Sequence, residues 1–185
     1  MLYIFDLDST LVEAYGIAVL PGVAVKLHQL VNEGHALSVA TNQAGPAWRF
    51  ETADSKYPLP SSLGERFQLI AEALPVLARA QWYIAVADAR LSLSSGAYEQ
   101  IIRAFSEAAG TLAVHLSADL TWRKPAPGML LAACADYQSP VAHTVFVGDA
   151  DSDAAAAKAA GIGFVLAARF FGWPSAENSS PRAAG

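Results

Sequence analysis

Leu2-Tyr3-Ile4-Phe5-Asp6-Leu7-Asp8-Ser9-Thr10-Leu11 decides how the rest of the chain is read. Residues Leu2–Phe5 are a short apolar run, too brief for a helix and of the kind that makes a strand buried on both faces. The run gives way to Asp6 and Asp8, so both acids stand where a buried strand passes into a loop. Strand periodicity points them to the same side. Two close carboxylates repel one another, and the pair needs a shared proton or a cation. A hard divalent ion with oxygen ligands, such as Mg²⁺, meets that need. The plainer alternative is a helix cap or Asx-turn at a strand end.

Outward from this stretch, short apolar runs alternate with helical periodicity, the pattern of an α/β fold with a mostly parallel sheet. A helix is predicted over residues 21–33, with Pro21 in its first turn and Gly34 as its stop, then a strand over 36–40. Residues 41–61 read as a loop. Ser62-Leu63-Gly64-Glu65 has the form of a capping box, opening a helix toward Ala73 that Pro75 ends. Strands are predicted over 82–87, 112–116, 144–147 and 163–167, and helices over 96–109, 127–136 and 152–160. A small insertion is expected near 88–118, and residues 172–185 read as a frayed tail after a domain spanning 1–171.

Three further signals fall at strand ends or turns. Thr41-Asn42 follows the second strand, where a hydroxyl and backbone N–H groups could bind phosphoryl oxygens; ordinary turn chemistry is the alternative. Lys124 sits in Arg123-Lys124-Pro125-Ala126-Pro127-Gly128-Met129, a proline-stiffened turn that fixes it at little entropic cost. Its ammonium could offset charge on a transferring phosphoryl group, or simply be solvated. Gly148-Asp149-Ala150-Asp151-Ser152-Asp153 follows the strand over 144–147. Capping accounts for Asp151 but explains Asp149 less well. In a parallel sheet these strand ends converge on one edge, and chance rarely places an acid pair, a hydroxyl, an amine and another acid there together.

Composition narrows the classes. Charged residues are 16% of 185 and hydrophobic ones 54%, so a single self-folding domain is expected and a disordered chain excluded. The net charge is −5 with no basic run, which gives no indication of strong non-specific nucleic-acid binding. One cysteine, Cys134, excludes an internal disulfide and a multi-cysteine zinc site; it reads as a core residue. His28, His35, His115 and His143 lack ligand spacing. The apolar stretch 14–25 is broken by Gly16, Pro21 and Gly22 and falls short of the roughly 20 residues that span a bilayer, so no membrane association and a cytoplasmic setting are expected.

In order and context the four signals resemble the haloacid dehalogenase-like hydrolase superfamily. The resemblance runs from about Leu2 to Phe171 and rests on Phe-Asp-Leu-Asp-x-Thr-Leu, Lys-Pro-x-Pro-Gly-Met, and Val-Gly-Asp-x-x-x-Asp followed by Ala-Ala-x-x-Ala-Gly-Ile. Thr41-Asn42-Gln43 with Lys124-Pro125 looks like the subgroup of histidinol, heptose bisphosphate and polynucleotide 3′-phosphatases. The resemblance implies a Rossmann-like three-layer α/β/α domain without a large cap, and a phosphomonoesterase that works through an aspartyl-phosphate. It implies that Asp6 attacks phosphorus and that Asp8 protonates the leaving group, then deprotonates water. Thr41, Asn42 and Lys124 would hold phosphoryl oxygens. Asp6, Asp8 (through its carbonyl) and Asp149 would bind Mg²⁺, with Thr10 and Asp153 supporting. The acid at Asp8 favours phosphate esters over halides, because an alkoxide needs a proton on leaving.

Two departures accompany the match. Ser9 stands where glycine is usual, a change expected to be tolerated. The Cys/His zinc loop of many histidinol and heptose phosphatases is absent, which weighs against those two substrates. A phosphorylated small molecule is the expected partner, with a nucleic-acid end as the minority alternative, for which Trp48-Arg49-Phe50 could supply stacking and charge. Two other classes compete: a phospho-acceptor signalling module, and a catalytically silent scaffold on the same fold.

Overall fold

In the computed structural model, which describes residues 1–174, β1 is Leu2–Phe5, β2 Ala36–Asn42, β3 Gln81–Ala85, β4 Ala113–Ser117, β5 Thr144–Gly148 and β6 Gly163–Leu166. Helices α1 (Val23–Asn32), α2 (Gly45–Thr52), α3 (Pro60–Ala73), α4 (Ser95–Ala109), α5 (Gly128–Asp136), α6 (Asp151–Ala160) and α7 (Ala167–Phe171) join them. The strands make one sheet in the order β4-β3-β2-β1-β5-β6, every neighbouring pair parallel.

Alternation along the strands feeds two cores. Phe5, Trp82 and Ile84 face one side and pack with Leu27 of α1, Phe67 and Ile70 of α3, and Phe105 of α4. Ile4, Tyr83 and Ala85 face the other side and pack with Leu130 and Cys134 of α5 and Ala156 and Ala157 of α6. Both faces are covered, as a parallel sheet requires, and the architecture is the expected Rossmann-like three-layer α/β/α.

Several local expectations change. Residues 41–61 are not a loop: β2 runs on to Asn42, and α2 and α3 occupy most of the rest. Pro46 lies in the first turn of α2, where a missing N–H costs nothing. The capping box at 62–65 does not open α3. Pro60 begins that helix behind an extended Leu59, so Ser62 and Glu65 lie inside it. Residues 88–118, where an insertion is expected, supply α4 and the edge strand β4, which extend the sheet. The last strand stops at Leu166, and α7 begins at Ala167, where the sequence predicts the strand's final residue.

Beyond Phe171 the chain is still tied down at Trp173. Trp173 stacks on Phe171 with ring centroids 5.1 Å apart and donates its indole N–H to Pro21 O at 2.7 Å. The frayed tail expected from residue 172 therefore does not begin there; residues 175–185 lie outside the description. Ser9 has φ 59°, in the left-handed region that glycine enters without a Cβ penalty. Among the described residues, no helix is long and apolar enough to cross a membrane.

Candidate active site

β1 lies between β2 and β5, and the chain moves outward on one side before returning to the other. The carboxyl ends of these three strands flank the crevice where such sheets bind ligands. Asp6 leaves β1 there, Thr41 and Asn42 close β2, and Asp149 follows β5.

Lys124 reaches this point from the loop before α5. Its Nζ donates to Asp6 Oδ1 at 2.6 Å and to Ala40 O at 3.1 Å, and stands 2.7 Å from Asp153 Oδ1. Asn42 holds the loop in place: its Nδ2 donates to Lys124 O and its Oδ1 accepts from Lys124 N, both at 3.0 Å. Both polar atoms of Asn42 are thus spent on the Lys124 backbone. The side chain of Asn42 thereby carries the loop that bears the amine.

Asp153, 1% exposed, caps α6 by accepting from the N–H groups of Asp149 and Ala150, each at 3.1 Å. Gly148 makes room for it, since a Cβ there would overlap the Asp153 carboxylate. The cap was expected of Asp151, which instead lies exposed in the first turn. Thr10, fully buried, donates to Asp149 Oδ1 at 3.4 Å. Thr41, 1% exposed, accepts from Gln43 Nε2 at 3.0 Å.

One oxygen each of Asp6, Asp149 and Asp153 lies within 4.8 Å of the others. Burial pushes the Asp6 carboxyl up to about 6; Lys124 pulls it down and Asp153 adds to the rise. Burial and then Asp153 raise Asp149 as well. Burial works against the Lys124 ammonium, but Asp6 and Asp153 outweigh it and hold that group above its ordinary range. Three carboxylates around one ammonium leave an excess of negative charge. Asp153 Oδ1, buried and facing Lys124, makes no well-formed hydrogen bond. A divalent cation with oxygen ligands fits such a set.

The Asp8 carboxylate lies outside that trio. Its Oδ1 accepts from Tyr15 N at 2.8 Å and Arg66 Nη2 at 2.5 Å, and its Oδ2 from Gln43 Nε2 at 2.8 Å. Beyond these groups opens a cavity of about 850 Å³, lined by the cations Arg49, Lys56, Arg66, Arg90, Arg123 and Lys124 against Asp6, Asp8, Asp88 and Asp153. Six positive against four negative groups make the lining net positive in a chain of net charge −5.

On the far wall Asp88, 5% exposed, accepts from Arg90 Nε at 2.9 Å and Nη2 at 2.7 Å, and pairs with Arg123 at 3.3 Å. Trp48 stacks on Tyr57 with Arg90 over its ring, and Arg49 donates to the carbonyls of Ser55 and Tyr57. Both side chains line the cavity, whereas Phe50 is half-exposed and does not.

Arg66, Asp88 and the side-chain role of Gln43 were not singled out from sequence. Asp88 had a usable signal, being an acid three residues past a buried strand, as Asp6 is an acid one residue past another. Arg66 had none, since it is one charged position on an amphipathic helix.

A family profile described as HAD-hydrolase-like matches residues 121–171. Over 153 residues the chain is 29% identical to the D-glycero-D-manno-heptose-1,7-bisphosphate 7-phosphatase of Thermosynechococcus vestitus, which spans 83% of this chain and 67% of that one. The fold is similar to the D,D-heptose 1,7-bisphosphate phosphatase of B. bronchiseptica, solved with magnesium and phosphate (TM-score 0.50, 18% identity, 89% of this chain and 79% of that one). It is also similar to a HAD-like phosphatase of Mesorhizobium loti (TM-score 0.51, 22% identity, 86% and 68%).

Proposed function

We propose that the chain is a haloacid dehalogenase-like hydrolase, a cytoplasmic, Mg²⁺-dependent phosphomonoesterase working through an aspartyl-phosphate on Asp6. The observation that carries this reading is the buried contact of Asp6 with Lys124, 2.6 Å, inside a three-carboxylate cluster at the mouth of a net-positive cavity.

Asp6 and Asp149, with the carbonyl of Asp8 and support from Asp153, would hold Mg²⁺. The ion supplies charge stabilisation for phosphoryl oxygens. Lys124 orients the Asp6 carboxylate and offsets charge on the transferring group, and Thr41 offers it a hydroxyl. Asp6 attacks phosphorus, the bond to the leaving oxygen breaks, and Asp8 gives that oxygen its proton. Water then attacks phosphorus and surrenders a proton to Asp8, the Asp6–phosphorus bond breaks, and inorganic phosphate leaves. Asp8 and Asp6 thus end in their starting states.

A small phosphorylated metabolite is the proposed substrate class, supported by the net-positive cavity and by the sugar bisphosphate in the name of the Thermosynechococcus relative. The test is hydrolysis of 4-nitrophenyl phosphate with Mg²⁺, followed by a panel of sugar phosphates, nucleotides and 3′-phosphorylated oligonucleotides. EDTA should abolish turnover, and Asp6→Asn should bring it to background with an unchanged circular dichroism spectrum. Near-normal rates in a folded Asp6→Asn variant would refute the mechanism.

A further inference from the structure

We infer that Arg66 is a positioning residue that holds the Asp8 carboxylate and the turn at residues 13–16 in one arrangement at the mouth of the site. This rests on the phosphatase reading, with Asp8 as the group that gives and takes the proton.

Arg66 comes from α3, 58 residues from Asp8, and its side chain is 11% exposed. Nη2 donates to Asp8 Oδ1 at 2.5 Å while Nε donates to Gly16 O at 2.8 Å. Two bonds from one planar guanidinium fix its plane as well as its position. The loop is tied to the same oxygen from its own side, since Tyr15 N donates to Asp8 Oδ1 at 2.8 Å and Gly16 N donates to Glu13 O at 3.0 Å. Gln43 Nε2 holds the second oxygen at 2.8 Å.

The acid, the turn and the helix therefore share one junction, and Arg66 is the member that joins all three. Asp8 needs such a tether, because it stands in a loop just before Ser9, whose backbone is in the left-handed region. A misplacement of about 1 Å costs roughly 10²-fold in rate when a group must meet a reacting atom. A lysine has one nitrogen and could not hold the carboxylate and the carbonyl with the same fixed geometry.

The experiment compares wild type, Arg66→Lys, Arg66→Ala, Asp8→Asn and the double variant Asp8→Asn/Arg66→Ala. Each is assayed on an alkyl phosphate and on 4-nitrophenyl phosphate, whose leaving group departs with little help from a proton. Arg66→Ala should lower kcat on the alkyl ester by about 10–10²-fold, with KM changed by less than about threefold, and should slow the first-turnover release of 4-nitrophenolate much less, because that step needs no proton from Asp8. Arg66→Lys should recover part of the loss. In the Asp8→Asn background the second substitution should cost nothing more. An equal slowing of the first-turnover release of 4-nitrophenolate, a loss confined to KM, or additive losses in the double variant would overturn the inference.

If the wild type hydrolysed neither ester, the phosphatase reading itself would fail. Amide hydrogen exchange still tests the tether in that event. Arg66→Ala should speed exchange at Tyr15 and leave Phe67 and Ile70 of α3 unchanged; unaltered exchange at Tyr15 would refute it.

Discussion

Asp88 lies three residues past β3, and its carboxylate accepts the Arg90 backbone N–H as well as two of the Arg90 guanidinium N–H groups. Those bonds, with Arg123 close by, hold its carboxyl well below the usual carboxylate range, and burial opposes them only in part. A depressed folded-state pKa contributes stability above the unfolded value of about 3.9, and the contribution is lost as pH falls through the lower folded value. Asp88→Asn should therefore cost about 1–3 kcal/mol near neutrality, and its thermal melt should approach that of the wild type below about pH 4. A gap that stayed constant with pH would show that the ion pairs contribute nothing. Residues such as Asp6, Lys124 and Asp149 were legible because each follows an apolar strand or sits on a stiff turn, which is local information. Arg66 was not, because its meaning lies in Asp8, a partner 58 residues away that only the fold brings near.

At the scale of elements, α3 and α4 pack so closely that a Cβ on Gly64 would come within 2.6 Å of Phe105 O and 2.9 Å of Ala109 N. Helix propensity favours alanine over glycine by about 1 kcal/mol, but both of these neighbours are backbone and cannot swing aside. Gly64→Ala should thus lose about 1–3 kcal/mol net, read as a drop in the denaturant midpoint at unchanged slope. Stabilisation instead would mean that the two helices can part at small cost. The same contrast explains what the sequence disclosed about its elements. Period-two and period-3.6 patterns marked the sheet and the long helices. The short α2 and α7 were hidden, one within a stretch rich in Gly, Pro and Ser and the other behind a strand of the same apolar character.

For the molecule as a whole, the negative charge gathered by Asp6, Asp149 and Asp153 would link binding of the proposed ion to folding. Mg²⁺ at about a hundred times its dissociation constant should add about 2.7 kcal/mol, raising Tm by roughly 5–11 °C in a domain of this size. Asp149→Asn should blunt that rise; an equal rise in the variant would place the ion elsewhere. Strand order adds a different kind of dependence. β1 pairs with β2, which follows it closely, and with β5, which begins at Thr144. A ribosome that has delivered only the first hundred residues has released Asp6 and Thr41, but not the amine at 124 or the acids at 149 and 153. Early fragments therefore lack Lys124, Asp149 and Asp153, and the candidate site is whole only once the returning strand docks beside the first.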